Sequence, residues 1–292
     1  MIKGVHTARS DDDKDDMTYS AETTRISASA TSTGDAMNYT FQPCEYQDVE
    51  ATVIAHNTGL ISPIDSFAEE HILQAMHYTI ACRDSIIGYC SIYKGNVLTQ
   101  FYLKDTYRHL SQDIFAHAKK LESVNEALVA TCDELFLSLS VDCCSAIKKQ
   151  AYFFQYVRDI DVHVTISPRY RRASLDDMTL IQHHSEDFFD DALEKQIIAR
   201  EIYIGLDQQT PIAFGVFERG KILRNHVSIG MYTAPKYRRM HIGKMTLKYL
   251  INEALNAELQ PIAGCSYYNH VSQKTLEGVG MISNTRYLRI AF

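Results

Sequence analysis

The stretch Thr233-Ala-Pro-Lys-Tyr-Arg-Arg-Met-His-Ile-Gly-Lys244 lies between a predicted strand and a long predicted helix. Pro235 cannot donate a hydrogen bond to a strand ladder, so the strand ends there. A helix N-terminus presents unpaired amides and a partial positive charge, which favours phosphate groups. Arg238 adds donors for phosphate oxygens, and Gly243 lets a ligand approach the backbone. The stretch predicts an anion site, although a solvated basic turn explains the spacing equally well.

The residues around this stretch predict alternating strands and helices. The helix that follows it is amphipathic over Ile242–Ala257. Its apolar face is predicted to hold Ile242, Met245, Leu250, Ile251, Ala254 and Leu255. The other predicted strands of this half are Arg171–Ala173, Glu201–Leu206, Ile212–Glu218, His226–Thr233, Ile262–Ser266 and Arg286–Phe292. Its other predicted helices are Leu175–His184, Phe188–Ala199 and Val271–Gly278.

An earlier part of the chain repeats the same order of elements with little residue identity. Its predicted strands include Ile86–Tyr93, Val97–Leu103 and Ala127–Cys132, and Ala151–Val157 is predicted to close the first half. A charged segment with Pro168 suits a boundary near residue 160. We therefore predict domains at 38–160 and 161–292. The first 37 residues are acidic and rich in Ser and Thr, which predicts a disordered tail at 1–37.

Composition excludes several classes of protein. The 292 residues carry a net charge of −7, which gives no general attraction for nucleic acid or anionic lipid. No apolar run reaches the roughly 18–20 residues of a membrane span, and no secretory signal is recognised, so we expect a cytoplasmic protein with neither nucleic acid nor membrane as a partner. The seven cysteines form no metal-binding pattern, so we expect reduced thiols and no metal.

The ordered set of motifs resembles the GNAT superfamily of N-acetyltransferases. The acyl-CoA motif of that family is Arg or Gln, two residues, Gly, one residue, then Gly or Ala. Arg238 and Gly243 match its two ends, whereas His241 stands where the family usually has its first glycine. Further along, Asn269 and Ser272 resemble the Asn-x-x-Ser start of the next helix in the family.

The resemblance, which covers about 167–292, implies a fold and a cofactor site. The fold class is α/β (α+β), with two tandem GNAT-like domains. Each domain is a mixed, mostly antiparallel sheet flanked by helices. In the second domain, a V-shaped opening between the fourth and fifth strands is implied to receive acetyl-CoA as co-substrate. The implied cofactor-binding residues are Met231, Tyr232, Thr233, Arg238, Arg239, Met240, His241, Ile242, Gly243, Lys244, Asn269 and Ser272.

The catalytic residues are less well defined by the sequence. Many family members place a tyrosine on the helix after the asparagine as an acid, and that position is Leu276 here. Tyr267 and Tyr268 are therefore the candidate acids, and the alternative for each is an aromatic residue at the rim of the site. His226 is the candidate base because histidine titrates near neutral pH, although a surface or core histidine is the commoner interpretation of such a residue.

The first half resembles the same fold in a degenerate form. The segment Tyr107–Ser111 occupies the equivalent loop, no glycine follows it, and Asp113 opposes phosphate. We predict that this half binds no CoA and instead shapes the acceptor groove beside the second half. An unrelated α/β domain is the alternative.

The resemblance implies an N-acetyltransferase that moves an acetyl group from acetyl-CoA to a primary amine by direct attack. A CoA-binding pseudoenzyme or acyl-CoA sensor is the alternative, and a third possibility is peptide-bond formation from an aminoacyl carrier. The partners implied are an acyl-CoA and an amine acceptor. The acceptor is left open by the sequence, and so is a homodimer.

Overall fold

Two compact units make up the part of the chain that can be described. The computed structural model describes residues 39–83, 85–162, 166–189 and 191–292, so the tail predicted at 1–37 lies outside it. Within those ranges, the N-terminal unit consists of 39–61, 68–150 and 287–292, and the C-terminal unit consists of 62–67 and 151–286. The units therefore alternate along the chain.

Twelve strands and eight helices are found in the described residues. The strands are β1 (Tyr39–Cys44), β2 (Met76–Cys82), β3 (Ser85–Tyr93), β4 (Val97–Leu103), β5 (Glu126–Ala130), β6 (Ala146–Tyr156), β7 (Arg169–Arg172), β8 (Ile202–Asp207), β9 (Thr210–Arg219), β10 (His226–Thr233), β11 (Gln260–Ser266) and β12 (Met281–Ala291). The helices are α1 (Tyr46–Gly59), α2 (Ser66–Leu73), α3 (Ser111–Ala118), α4 (Glu134–Asp142), α5 (Met178–His184), α6 (Leu193–Ile198), α7 (Ile242–Asn256) and α8 (His270–Glu277). Across the described ranges, none of the helices has the length and apolar character needed to span a bilayer.

The N-terminal unit is a sheet built mostly from antiparallel neighbours. Strands β1 to β4 pair in chain order, each antiparallel to the next. β5 then runs parallel to β4, with Val97 opposite Glu126 and Leu98 opposite Ala127. On the other side of β5 lies the end of β12, which pairs antiparallel from Tyr287 to Ala291.

The C-terminal unit follows the same plan. Strands β7 to β10 pair antiparallel in chain order, and β11 runs parallel to β10. The end of β6 pairs antiparallel with the other side of β11, from Ala151 opposite Ser266 to Gln155 opposite Ile262. Each unit is thus a mixed, mostly antiparallel sheet flanked by helices, which confirms the predicted fold class.

The last strand of each sheet differs from the sequence-based expectation. Ala151–Val157 was expected to close the first half and Arg286–Phe292 the second, but each of these strands pairs within the other unit. Both β5 and β11 present an edge that accepts an antiparallel neighbour, and a strand's own residues do not encode which edge it takes. The domain limits 38–160 and 161–292 stay a prediction.

Helix α7 covers one face of the C-terminal sheet. Ile242, Leu250 and Ala254 are buried as predicted. Leu250 and Ala254 pack with strand residues that include Val227, whereas Ile242 packs in a separate small cluster on β9. Leu255, however, has 43% of its surface exposed. At about 100° per residue it lies about 220° around the helix from Ile242, so it points away from the buried face.

The opposite face of β10 packs on different helices. Because neighbouring side chains of a strand alternate between faces, Val227 and Met231 lie toward α7 while Tyr232 lies on the other side. There Tyr232 packs with Phe188 and Phe214 in a second apolar cluster that includes residues of α5 and α6. β10 is therefore covered on both faces, as a central strand of a layered fold should be.

The turn between β10 and α7 contains two residues with left-handed backbone. After a short 3₁₀ turn at Pro235–Tyr237, Arg239 has φ 66° and His241 has φ 61°. His241 is the N-cap residue, and its carbonyl accepts the first helical bond, from Met245 N at 3.1 Å. Left-handed φ is a conformation that glycine adopts without steric cost, which explains in physical terms why a glycine suits this position.

Replacing His241 by glycine should stabilise the protein. Because glycine relieves the left-handed strain, we expect His241→Gly to raise the free energy of unfolding by about 0.5–1 kcal/mol in urea titrations. His109→Gly is the matched control, since His109 occupies the corresponding turn of the N-terminal unit without a positive φ. The free energy of unfolding of the control should fall by about 1 kcal/mol, because glycine adds flexibility to the unfolded chain without relieving strain in the folded one. Equal losses for both variants would contradict the assignment.

Candidate active site

Strands β10 and β11 separate after a short parallel pairing. Only His226, Val227 and Ser228 of β10 have partners on β11, and the last of these pairs is Ser228 with Ile262. Beyond that point β10 continues to pair with β9 as far as Thr233, while β11 continues to pair with β6. The facing edges of the two strands therefore diverge, and this is the V-shaped opening that the resemblance implied between the fourth and fifth strands.

The turn before α7 lies at the open end of this split. The first amides of a helix have no acceptor within the helix, and left-handed residues beside them turn further amides toward the same side. Met240 in this turn is 39% exposed. The Lys244 ammonium lies against the C-terminal end of α8, because a Cβ added at Gly278 would lie 2.6 Å from Lys244 Nζ. The turn itself offers backbone donors, and Arg238 beside it adds a basic side chain, which together suit a diphosphate.

Gly243 has a packing role that the sequence did not indicate. A Cβ at this position would lie 3.2 Å from Met231 Sδ and 3.4 Å from Thr233 Oγ1. The missing side chain therefore allows α7 to pack closely on β10, and it faces the protein interior. This close packing also fixes the distance between the turn before α7 and the end of β10.

Arg238 is held by a cluster on the other face of β10. Its Nη2 donates to Glu186 Oε2 at 2.8 Å and its Nε donates to the Thr233 carbonyl at 3.1 Å. The Tyr232 hydroxyl donates to the same Glu186 oxygen at 2.9 Å. The Tyr232 hydrogen bond and Arg238 lower the pKa of Glu186, whereas burial and the Glu186 carboxylate raise the pKa of Tyr232 to about 12. Sequence reasoning did not assign Glu186 to this site.

A second polar cluster lies where the split begins. Ser228 Oγ accepts a hydrogen bond from Ser66 N at 2.8 Å, and Ser66 Oγ donates to Glu218 Oε2 at 2.6 Å. Gln196 Nε2 donates to the other oxygen of Glu218 at 2.8 Å. Glu218 is directly opposite Ser228 in the β9–β10 ladder. Glu218 and Ser66 had no signal in the sequence, because they come from a third strand and from a distant segment.

His226 shares this face of β10 with Ser228, two residues away. It pairs with Gln260 at the start of β11, close to the beginning of the split. Its Nδ1 lies 2.7 Å from Asn225 Oδ1, and burial lowers its pKa from the usual 6.5. The imidazole is therefore neutral at neutral pH and able to accept a proton.

The two candidate tyrosines lie at the opposite end of β11. Tyr268 has 73% of its surface exposed, and Tyr267 stacks on Tyr152 with ring centres 4.9 Å apart. At about 3.3 Å per residue, the extended chain from Gln260, the partner of His226, to Tyr267 spans about 23 Å. The structure therefore does not bring His226 and the tyrosines together around one reacting atom.

The Asn-x-x-Ser motif forms the start of α8. Asn269 is the N-cap, and its Oδ1 accepts a hydrogen bond from Ser272 N at 3.1 Å. This places both residues beside the end of β11, on the far side of the split from the α7 turn. Leu276, at the position of the family's tyrosine, is 2% exposed and packs in the apolar core beside α7.

The N-terminal unit has the split without the turn. β4 and β5 pair only at Val97–Glu126 and Leu98–Ala127. The loop after β4 is a 3₁₀ turn, Asp105–Leu110, that runs directly into α3, and residues 104–111, all of which are described, have no positive φ. Asp113, in the first turn of α3, accepts a hydrogen bond from the Tyr39 hydroxyl at 3.0 Å. A negative side chain occupies the first turn of this helix.

Known families and solved structures match both halves. An acetyltransferase (GNAT) domain model matches 45–157, and an acetyltransferase (GNAT) family model matches 164–281. An acetyltransferase from the GNAT family of Colwellia psychrerythraea is 19% identical with a TM-score of 0.78, covering 86% of this chain and 99% of its own. None of the curated proteins compared with the chain matches it.

Two further structures share the fold over most of the chain. A GCN5-related N-acetyltransferase from Sphaerobacter thermophilus has a TM-score of 0.58 at 9% identity, covering 86% of this chain and 94% of its own. A tandem GNAT protein from the clavulanic acid biosynthesis pathway has a TM-score of 0.53 at 10% identity, covering 87% of this chain and 98% of its own. Together with the two family models, these matches show that the chain belongs to the GNAT acetyltransferase family and contains two GNAT domains in tandem.

Proposed function

We propose that the C-terminal unit transfers an acetyl group from acetyl-CoA to a primary amine of a small molecule or protein. The observation that carries this proposal is the divergence of β10 from β11 after Ser228, with the amides of the α7 turn at its open end. The free strand edge suits the amide-containing arm of acetyl-CoA, and the anion site suits its diphosphate. The two features lie next to each other, as the two parts of the cofactor do.

The cofactor would lie along the split with its diphosphate at the α7 turn. Backbone groups of Met231, Tyr232 and Thr233 would pair with its pantetheine arm in the manner of an added strand. The diphosphate would be held by Arg238 and by the backbone of 239–244. Asn269 and Ser272 would border the arm from the side of β11. In this orientation the thioester points toward the start of the split, where His226 and Ser228 lie.

The reaction would be a direct attack of the amine nitrogen on the thioester carbon. A carbon–nitrogen bond forms, the carbon–sulfur bond breaks, and the CoA thiolate leaves. The surplus proton on nitrogen would pass through water to the neutral His226 imidazole. Holding the amine beside the thioester supplies most of the rate enhancement in this scheme. Tyr267 and Tyr268 lie too far from His226 to act on the same thioester. We therefore assign them to the open end of the split, away from the reacting carbon.

A CoA-binding pseudoenzyme or acyl-CoA sensor is the second candidate, and one observation favours it. Leu276 occupies the position where many relatives carry a tyrosine acid, and its side chain is buried in the apolar core. A protein without this acid would still bind acetyl-CoA but would not release the thiol. The two candidates are separated by measuring acetyl-CoA binding and thiol release in the presence of amines. Binding with thiol release indicates the transferase, and binding without it indicates the sensor.

We propose that the first domain, 38–160, is a degenerate GNAT domain that binds no CoA. Its turn after β4 has no left-handed residue to present amides, and Asp113 would repel a phosphate. The catalytic domain would be 161–292, and β6, which precedes it in the chain, would complete its sheet by pairing with β11.

The full chain should therefore bind one equivalent of acetyl-CoA. We expect isothermal titration calorimetry to give a stoichiometry near one because, of the two turns that follow the fourth strands, only the one before α7 has left-handed residues. Two binding events of similar affinity would show that the turn of the N-terminal unit also accepts a diphosphate.

Removing Arg238 should weaken binding selectively. A charge-assisted hydrogen bond contributes about 1.5–3 kcal/mol, so we expect Arg238→Ala to raise the Kd for acetyl-CoA about tenfold or more. Arg108→Ala is the matched control, since Arg108 lies in the equivalent loop of the N-terminal unit and is exposed. The control should leave the Kd unchanged. Equal effects of the two substitutions would place the diphosphate elsewhere.

The activity should depend on the neutral form of His226. Because burial lowers the pKa of this histidine, activity should hold near neutral pH and fall as the pH drops through a value below 6.5. The measurement is thiol release from acetyl-CoA with a panel of primary amines between pH 5 and 9. His226→Gln should remove this acid limb, and His270→Gln, at an exposed position, should keep it. An unchanged acid limb in His226→Gln would exclude this histidine as the base.

A further inference from the structure

Glu186 places a negative charge on the arginine of the candidate diphosphate site. Its carboxylate and the Arg238 guanidinium form an ion pair with side chains that are 50% and 25% exposed. The guanidinium lies 5.6 Å from the centre of the Tyr232 ring, and the Tyr232 hydroxyl binds the same carboxylate oxygen. Arg238 is thus already paired with an anion of the chain itself.

The turn that carries Glu186 is held in a disfavoured conformation. Glu186 has φ 52°, a left-handed backbone that a glutamate rarely adopts without support. The turn follows α5, where Ser185 N donates to Ile181 O, and continues to Phe188, whose ring lies 5.2 Å from that of Tyr232. The contacts of Glu186 with Tyr232 and Arg238 are the charged and polar support for this conformation.

A phosphate and a carboxylate compete for one guanidinium. Both are anions that accept the same N–H donors, and their charges repel when they share a small site. A diphosphate at the α7 turn would therefore meet Arg238 with Glu186 attached, and it would bind at the expense of that contact. Tyr232 and Ser228 are four positions apart on β10, so their side chains lie on the same face of the sheet. Glu186 contacts Tyr232 and therefore lies on that face too.

We propose that Glu186 is an internal competitor that occupies Arg238 in the free protein and is displaced by the diphosphate of acetyl-CoA. This inference rests on the proposed function of the C-terminal unit. Displacement lowers the affinity for the cofactor, and it removes the support of the strained turn at 185–189. By linkage, whatever stabilises this turn weakens cofactor binding, and cofactor binding loosens the turn. The turn lies on the face of the sheet where Tyr232 packs, so cofactor binding would change the conformation of the chain on that face.

The first test is the affinity of Glu186→Gln for acetyl-CoA, measured by calorimetry on the full chain. The substitution keeps the size of the side chain and removes the competing charge, so we expect the Kd to fall about three- to tenfold. Glu194→Gln is the matched control, because it removes the same charge from an exposed position on α6. It should leave the Kd unchanged. A Kd for Glu186→Gln that is unchanged or higher would overturn the proposal.

The second test is hydrogen exchange of the amides of 185–188. In the wild-type protein, acetyl-CoA should speed exchange at Ser185 and Phe188, whose amides are hydrogen-bonded in the free turn. Glu186→Gln should show fast exchange there without any ligand. Slower exchange on binding would contradict the displacement. A wild-type protein that binds no acetyl-CoA overturns the proposed function, whereas binding without a gain in Glu186→Gln overturns only this inference.

Discussion

Two neighbouring parallel strands that pair for only three residues impose the constraint on which the site depends. After Ser228 and Ile262, the facing edges of β10 and β11 carry backbone amides and carbonyls that do not pair with each other. Backbone polar groups in a protein interior need partners, and an extended ligand with its own amide groups supplies them. The close packing of α7 on β10 through Gly243 then sets an anion site at the open end of the same split. In the proposed binding mode, this one divergence would position both ends of the cofactor.

The two units share a fold and differ in the turn that follows the fourth strand. Both units have the split between the fourth and fifth strands. Only the C-terminal unit has left-handed residues, Arg239 and His241, before the helix that follows. In the N-terminal unit a continuous 3₁₀ turn leads into α3, and Asp113 takes the first turn of that helix. We attribute the proposed loss of cofactor binding to this turn, because the sheet around it is retained.

Sequence reasoning recovered the features that depend on local pattern. The amphipathic pattern of α7 and the end of β10 before Pro235 both follow from residues close together in the chain. It missed what depends on distant residues. Glu186 and Glu218 reach the site from other elements, and the exchange of the closing strands depends on which sheet edge each finds. The packing role of Gly243 was also missed, because the contact with Met231 is visible only when helix and strand are packed together.

The most direct measurement is the exchange of the β10 amides with and without acetyl-CoA. If the cofactor lies along the free edge of this strand, the amides of 229–233 that point away from β9 should become protected several-fold when acetyl-CoA is bound. Amides that already pair with β9 should change little and serve as an internal reference. Saturating acetyl-CoA with no added protection anywhere in 229–233 would contradict the account.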